Sequence, residues 1–449
     1  MSAALAAAEH GVSCTVVDEG PGLGGQIYRK PTRPEGVPKP HPAGDALRQR
    51  VAAQADRIEV RSDAVVWGLF DGRQAAVTEN GRTELLKPEA IVLAPGAHEL
   101  VPPFPGWTLP GVMTPGAGQI LVKTMGVSPG ERVVVAGTGP FLLAVACQLV
   151  DAGVRVICVL EASPRLPWLS LPFHGLRTPE LLRDGFRYFT KLLRAGVPVR
   201  YGRIVVAAEG DDALRSVVHA AVDRTWTPDG SRVAREDADT LLVGYGFVPR
   251  TQLAQMAGCK LEYRPDVGGW VPVRDPNLAT SVPGIYAAGD GAGVAGALVA
   301  ATEGRLAGLA AAARLRAIDA ATLVSAREPL YRELERLTPI RRALDRISAL
   351  RPGLASLVKD DTIVCRCEEV AWTEVRGAVA AGCSTYRSLK VATRVGMGAC
   401  QGRFCWPSAS RLVARELGRS PGDIGPSSAR PPVRPVTLGE LADSAAEGA

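Results

Sequence analysis

The stretch RVVVAGTGPFLLAVACQLVDAGVRVICVLE, residues 132–161, spells out a nucleotide-binding βαβ unit in order. Arg132–Ala136 is an apolar run that predicts a buried strand. Gly137-Thr138-Gly139-Pro140-Phe141-Leu142 predicts the tight loop after it, Leu143–Ala152 a helix, and Val154–Leu160 the next strand, closed by Glu161. Two glycines let the chain turn sharply and bring backbone N–H groups against a pyrophosphate, and an acid at the second strand's end is placed for a ribose hydroxyl. Gly137, Gly139 and Glu161 are therefore candidate residues of a nucleotide site. The third fingerprint position, normally Gly or Ala, is Leu142, and bulk there opposes close helix–strand packing. A Rossmann-like fold is expected. Its ligand stays open among NAD(P), another adenine nucleotide, and none. Leu241–Arg250, with Gly244-Tyr245-Gly246 and Pro249, reads as the crossing that leaves this unit.

Working outward, a second such unit brackets the first. Ser2–His10 is alanine-rich and predicts a helix ended by Gly11; Ser13-Cys14-Thr15-Val16-Val17 predicts a strand ending in Asp18 and Glu19. This is the second half of a βαβ unit, with Asp18 and Glu19 as ribose candidates. Its first half, an apolar strand and a G-x-G-x-x-G loop, is expected upstream of Met1, which would then be an internal methionine; a truly shortened product is the alternative. Gly22-Leu23-Gly24-Gly25-Gln26-Ile27-Tyr28-Arg29 follows, where Gly24, Gly25 and Gln26 allow the backbone to approach a flat cofactor. Ala90–Ala94 is an apolar strand leading to Pro95-Gly96-Ala97, which makes Ala94 and Gly96 candidates as well. Thr280–Asp290 (TSVPGIYAAGD) delivers Gly289 and Asp290 to the start of an Ala/Gly-rich helix, Ala295–Ala313. These motifs together resemble the two-dinucleotide-domain flavoprotein family that includes the glutathione- and thioredoxin-reductase relatives. The resemblance implies FAD, with Gly289 and Asp290 at its ribityl–phosphate region.

Four cysteines stand near the C-terminus, in Cys365-Arg366-Cys367-Glu368-Glu369 and in Gly396-Met397-Gly398-Ala399-Cys400-Gln401-Gly402-Arg403-Phe404-Cys405. Two close pairs of thiolates can share one soft metal centre, either an iron–sulfur cluster or tetrahedral zinc. Zinc knuckles favour two- to four-residue gaps, often C-x-x-C, whereas these pairs are C-x-C and C-x4-C, so the spacing argues for iron. Asp361–Leu417 resembles the bacterioferritin-associated-ferredoxin-like module, which implies a [2Fe–2S] cluster on Cys365, Cys367, Cys400 and Cys405.

Composition excludes several classes. A net charge of +6 on 449 residues leaves no nucleic-acid footprint. No apolar run reaches transmembrane length. The start lacks the basic leader of a signal peptide, so a reducing cytoplasm is expected. Nine cysteines, an odd count in a large chain, argue against an extracellular disulfide framework. Cys14, Cys147 and Cys158 read as core, Cys259 and Cys383 as unpaired. No cysteine pair stands near Gly24-Gly25-Gln26 or after Glu161, so the redox disulfide of the reductase relatives is absent. The histidines, at 10, 41, 98, 174 and 219, show no ligand spacing; His98, just past Gly96, is the one placed at a strand end. No catalytic residue is identified.

The expected organisation is α/β: a first flavin-domain part (1–112), an inserted second Rossmann-like domain (113–245), a second flavin-domain part (246–325), a helical linker (326–360), a small helical cluster domain (361–420) and a disordered tail (421–449). Most of the chain resembles the flavin subunits of opine (octopine/nopaline) oxidases, hydrogen cyanide synthase and hydroxyproline dehydrogenases. The residues carrying this are Gly24–Arg29, Pro105-Gly106-Trp107-Thr108-Leu109-Pro110-Gly111-Val112-Met113-Thr114, Gly137–Pro140 and the four cluster cysteines. The match weakens at Pro115-Gly116-Ala117-Gly118. The resemblance implies an electron-transferring subunit of an amine or amino-acid dehydrogenase. Its partners would be a flavoprotein of the D-amino-acid-oxidase type and a small ferredoxin-like subunit. The alternatives are a stand-alone NAD(P)H reductase feeding its own cluster and an inactive flavoprotein scaffold.

Overall fold

A computed structural model describes residues 1–30, 41–71 and 73–446. The proline-rich connector expected over Arg29–Pro42 lies mostly outside the described residues. The 132–161 stretch forms the centre of a five-stranded parallel sheet. Its strand order is Val199–Tyr201, Arg155–Glu161, Arg132–Gly137, Thr240–Gly244, Val112–Met113. Alternation sets the two faces of the central strand. Val133 and Val135 pack on the helix Pro140–Asp151 and on Leu192 of the helix Pro179–Arg194. Val134 and Ala136 face a three-stranded antiparallel sheet through Ile204, Val205 and Val217. Strands buried on both faces read as continuous apolar runs, which is why this unit was legible.

The flavin-type domain surrounds that body. Its parallel strands stand as two separate pairs among the described residues: Cys14–Val17 with Ile58–Arg61, and Ile285–Ala287 with Ile91–Leu93. The helix Ser2–Ala8 lies across the helix Ala297–Arg314 at a spacing that only small residues permit. A Cβ on Gly308 would stand 2.2 Å from the Ala3 carbonyl oxygen. The chain leaves this domain through Ala97–Glu99 and returns through Phe247–Pro249, and the two strands pair antiparallel.

A single helix, Ala320–Ser348, runs through Pro329 and Pro339 and starts earlier than the helical linker expected over 326–360. It packs on Ala297–Arg314 and on the short helices Arg165–Leu169 and Leu171–His174. The C-terminal module follows, with the short strands Ile363–Cys365 and Val370–Ala371 and the helices Trp372–Ala380, Tyr386–Thr393 and Trp406–Glu416.

The tail over 421–449, expected to be disordered, is instead anchored across its described part. Ile424 is buried in the core of the C-terminal module, the Val433 N–H donates to the Trp67 carbonyl at 2.9 Å, and Arg434 pairs with Glu19. A helix spans Leu438–Ala446. The tail's polarity misleads because backbone bonds and one ion pair hold it, not an apolar stripe.

Substituting Gly308→Leu should force the Ser2–Ala8 helix off its seat. Overpacking of this kind costs about 1–3 kcal/mol. A lowered melting temperature together with weakened flavin retention is the expected outcome; an unchanged melting temperature would show that this contact is dispensable.

Candidate redox site

Strand ends of the flavin-type domain bring several of the expected residues together. Ile91–Leu93 and Ile285–Ala287 run parallel and deliver Ala94–Gly96 beside the turn Gly289–Ala292. A Cβ on Gly291 would stand 2.8 Å from the Pro95 ring. Gly289 takes φ +71°, and its N–H donates to Glu303 at 2.7 Å, which Arg274 also grips at 3.0 Å. One oxygen of Asp290 accepts from the Ala295 and Gly296 N–H groups, both at 2.8 Å, and so braces the start of the Ala297–Arg314 helix.

The two acids after the first strand are treated differently. Asp18 accepts from the Gly20 N–H at 2.9 Å, and burial, partly opposed by that bond, pushes it above the usual carboxylate range. Burial would also raise Glu19, but Arg434 and Arg250 together outweigh it and hold Glu19 low. The Glu19 carboxylate is thus engaged by two guanidiniums. Arg250 also ties this corner to Gly96, whose carbonyl its N–H meets at 3.0 Å. The loop that carries Gly24, Gly25 and Gln26 is fixed from behind through its carbonyls. Arg48 donates to Leu23 (3.1 Å) and Tyr28 (2.7 Å), and Lys123 to Ile27 (2.6 Å). Gly24 has φ +137°, and a Cβ there would lie 2.4 Å from the Tyr28 oxygen, so no other residue fits.

The second nucleotide loop is folded onto its own acid. Glu161 does not reach outward; one oxygen accepts from the Gly139 N–H at 2.9 Å, the other from the Thr138 hydroxyl at 2.8 Å and the Ser163 N–H at 2.9 Å. Complete burial pushes its carboxyl up to about 7 against these donors. The end of the Ala320–Ser348 helix covers the same loop. Its Ile347 carbonyl accepts from the Ser163 hydroxyl at 2.5 Å, and the Ser348 hydroxyl oxygen lies 2.8 Å from where a Gly139 Cβ would be. Leu142, expected to hold helix and strand apart, instead packs into the core with Val133, Val135 and Leu149. The partners that Glu161 and the long helix bring to this loop are tertiary and are not announced by the motif.

The C-terminal thiols meet as a chain. Cys405 lies between Cys365 and Cys400 and is the leading cause that lowers their thiols, to about 6 and about 5, while Cys405 itself rises; Cys400 also meets Cys367, whose thiol burial raises. Backbone N–H groups of Gly396, Cys367 and Glu368 point at Cys365, and those of Gly402 and Phe404 at Cys400. Among the described residues no three His, Cys, Asp or Glu side chains gather as a group for one metal ion. The pairwise thiol chain with aimed N–H donors is a donor set suited to a sulfur-rich, anionic centre spread over two metals. Glycine is required here: a Cβ on Gly398 would stand 2.3 Å from the Cys367 Cβ.

Residues that the motifs did not mark hold this module in place. The Trp107 indole N–H donates to the Ile363 carbonyl at 2.6 Å, and its ring stacks on Phe404 with centroids 6.2 Å apart at 12°. The Ser408 hydroxyl donates to the Val101 carbonyl at 3.0 Å. The thiol loop is thereby seated on Val101–Thr108, the segment that leads out of the flavin-type domain. His98 sits at the same seam, where burial and the nearby Arg250 push it down to about 4, so it is neutral. Only the aromatic content of PPFPGW hinted at these contacts.

Two Rossmann-like α/β bodies, one threaded through the other, with a thiol-bearing module on the connecting segment, define a flavoprotein-type oxidoreductase. Residues 1–314 match the family described as pyridine nucleotide-disulphide oxidoreductase, and residues 359–445 match the sarcosine oxidase A3 domain. The chain belongs to the pyridine nucleotide-disulphide oxidoreductase family and is an FAD-dependent oxidoreductase. It is 37% identical to hydrogen cyanide synthase subunit HcnB of Pseudomonas protegens, across 97% of this chain and 94% of that protein. It is 36% identical to an opine oxidase subunit of Rhizobium meliloti, across 98% of this chain and 85% of that one. The solved structure of L-proline dehydrogenase from P. horikoshii shares the fold, with a TM-score of 0.68 at 21% identity over 98% of this chain and 76% of that one.

NADH and NADPH should fail to reduce the bound flavin at catalytic rates, because the Gly139 N–H is already spent on Glu161. Rapid bleaching in a stopped-flow mixer would contradict this. Glu161 also sets a pH dependence. Its folded value of about 7 lies above the ordinary 4.5. Its contribution is therefore fullest below about pH 4.5, declines as the unfolded chain ionises first, and levels off above about pH 7. Glu161→Gln removes that decline, so the melting temperature of the variant relative to wild type should rise between pH 5 and pH 8, by up to about 3 kcal/mol in stability. A pH-independent difference would mean that Glu161 is charged in the fold.

Proposed function

We propose that this chain is the FAD- and [2Fe–2S]-bearing, electron-transferring subunit of a complex that oxidises a secondary amine, an opine or an amino acid, passing electrons to an acceptor other than NAD. One observation carries the reading: the Cys365–Cys405–Cys400–Cys367 chain is clamped by Trp107 and Ser408 onto the segment leaving the flavin-type domain. FAD would supply two-electron acceptance as a hydride equivalent, and the cluster would carry the electrons singly. The residues we assign to FAD are Asp18, Gly24, Gly25, Gln26, Ala94, Gly96, Gly289 and Asp290. Glu19 acts there through Arg250, by fixing the corner. The four cysteines hold the cluster, and the N–H groups aimed at them stabilise its negative charge.

The self-occupied second loop disfavours the stand-alone NAD(P)H reductase. The relatives named above are themselves called subunits, which supports a complex. We infer a D-amino-acid-oxidase-type flavoprotein as the amine-oxidising partner, with a small ferredoxin-like subunit completing the assembly. Among the described residues no helix is long and apolar enough to cross a membrane. We place the protein in the reducing cytoplasm, where its thiols persist.

Protein purified and reconstituted under anaerobic conditions should contain iron and acid-labile sulfide in equal amounts, as one [2Fe–2S] cluster per chain. Cys400→Ser should lose the cluster and Cys383→Ser should keep it. Stoichiometric zinc without sulfide would sink the assignment.

A further inference from the structure

The helix Pro179–Arg194 carries a wider apolar arc than the fold uses. Tyr188 and Leu192 point inward, against Cys147 and the second Rossmann core. Leu182, Phe186, Phe189 and Leu193 follow at spacings of four, three and four, so they form a second stripe beside the first. That second stripe faces outward: Phe186 is 71% exposed and Leu193 69%. The two short helices before it add Leu166 at 76% and Phe173 at 78%, with Leu169 also exposed. They adjoin, since Leu182 lies against Gly175 at the end of the second one. Single exposed apolar residues are normal on a monomer, but here they cluster along three consecutive helices, the pattern that marks an interaction site.

The patch also has a charge and a place. Arg165, Arg177, Arg183 and Arg194 lie among its apolar residues along this segment. The patch borders the flavin loop. Asp184 and Arg187 are near enough to His41 to act on its charge together with Lys123, and Lys123 binds the Ile27 carbonyl of the loop. Ile27 and Met125 continue the apolar exposure there. Part of the polar side of the helix is tied within the chain, Glu180 to Arg336 of the long helix and Lys191 to Asp151.

We propose that the outward face of Arg165–Leu169, Leu171–His174 and Pro179–Arg194 is the docking surface for the amine-oxidising flavoprotein subunit, which would present an apolar pocket rimmed by carboxylates. This rests on the functional reading above. The aromatic anchors Phe173, Phe186 and Phe189 with their arginine rim have the composition of an interface centre. The position beside Ile27 sets the incoming subunit next to the flavin loop, where electrons must be handed over.

The test uses the full chain co-expressed with an amino-acid-oxidase-type flavoprotein from the same source, with association measured by sedimentation velocity. The wild type should form a complex. The triple variant Phe173→Glu, Phe186→Glu, Leu193→Glu should bind at least about 100-fold more weakly with unchanged flavin and iron content. Val391→Glu, an equally exposed site on the C-terminal module, should bind like wild type. If the triple variant loses flavin, the milder Phe186→Ser, Leu193→Ser pair is scored in its place. Equal binding by wild type and the helix variants overturns the surface and leaves the functional reading standing. Failure of the wild type to bind any such subunit overturns both. Two further results replace the occupant and overturn the proposal: wild-type dimerisation that the variant loses, or wild-type binding to phosphatidylglycerol vesicles that the variant loses while subunit binding persists.

Discussion

Trp107 is the residue on which the arrangement of this protein turns. It is buried at the meeting point of three bodies: the segment leaving the flavin-type domain, the core of the second Rossmann-like domain, and the thiol-bearing module. Its ring packs with Val134, Leu160 and Leu241 of the parallel sheet and stacks on Phe404, while its one polar atom satisfies the Ile363 carbonyl. A large aromatic with a single donor is suited to such a seam, because the ring supplies apolar burial and the N–H fixes the angle. Phe404 and Ile363 belong to the two loops that carry the cysteines, so the same contact that joins the bodies also sets where the sulfurs lie.

That constraint makes the thiol module rigid. The cysteine loops are not tethered by a flexible linker. They are held by a stacked ring, by Ser408 on Val101, and by Gly398, whose backbone packs against the Cys367 Cβ. Preformed N–H donors around sulfur lower the cost of holding negative charge in a half-buried place. The flavin-type strand ends show the same economy: carbonyls are gripped by Arg48 and Lys123, and carboxylates by Arg250 and Arg274. Cations thus organise the loops from behind.

The second Rossmann-like domain has the full dinucleotide-domain architecture, with its acid bonded to its own loop. Its glycines still make the tight turn, with Gly137 so close to Gly244 that no side chain fits. Its acid accepts from the loop's own Gly139 N–H, and the long helix ends against the same loop. The domain supports Trp107 from one side and presents the apolar helices from the other.

The sequence by itself determined what depends on local spacing. Apolar runs of strand length with glycines and an acid at their ends marked both dinucleotide units, and C-x-C with C-x4-C marked the thiol module, because turn geometry and ligand spacing are properties of neighbouring residues. Tertiary structure decided everything that rests on distant partners. Leu142 looked obstructive from its position in a motif, yet the core around Val133 and Leu149 had room for it. Glu161 and Glu19 were placed at strand ends by motif, and the fold then supplied partners that no motif names, the Gly139 N–H for one and Arg250 with Arg434 for the other. The tail read as disordered because its composition is polar, whereas a backbone bond to Trp67 and an ion pair 415 residues away in sequence hold it. A carboxylate binds whichever donor the fold brings nearest, and that donor is fixed by packing between segments that no local pattern connects.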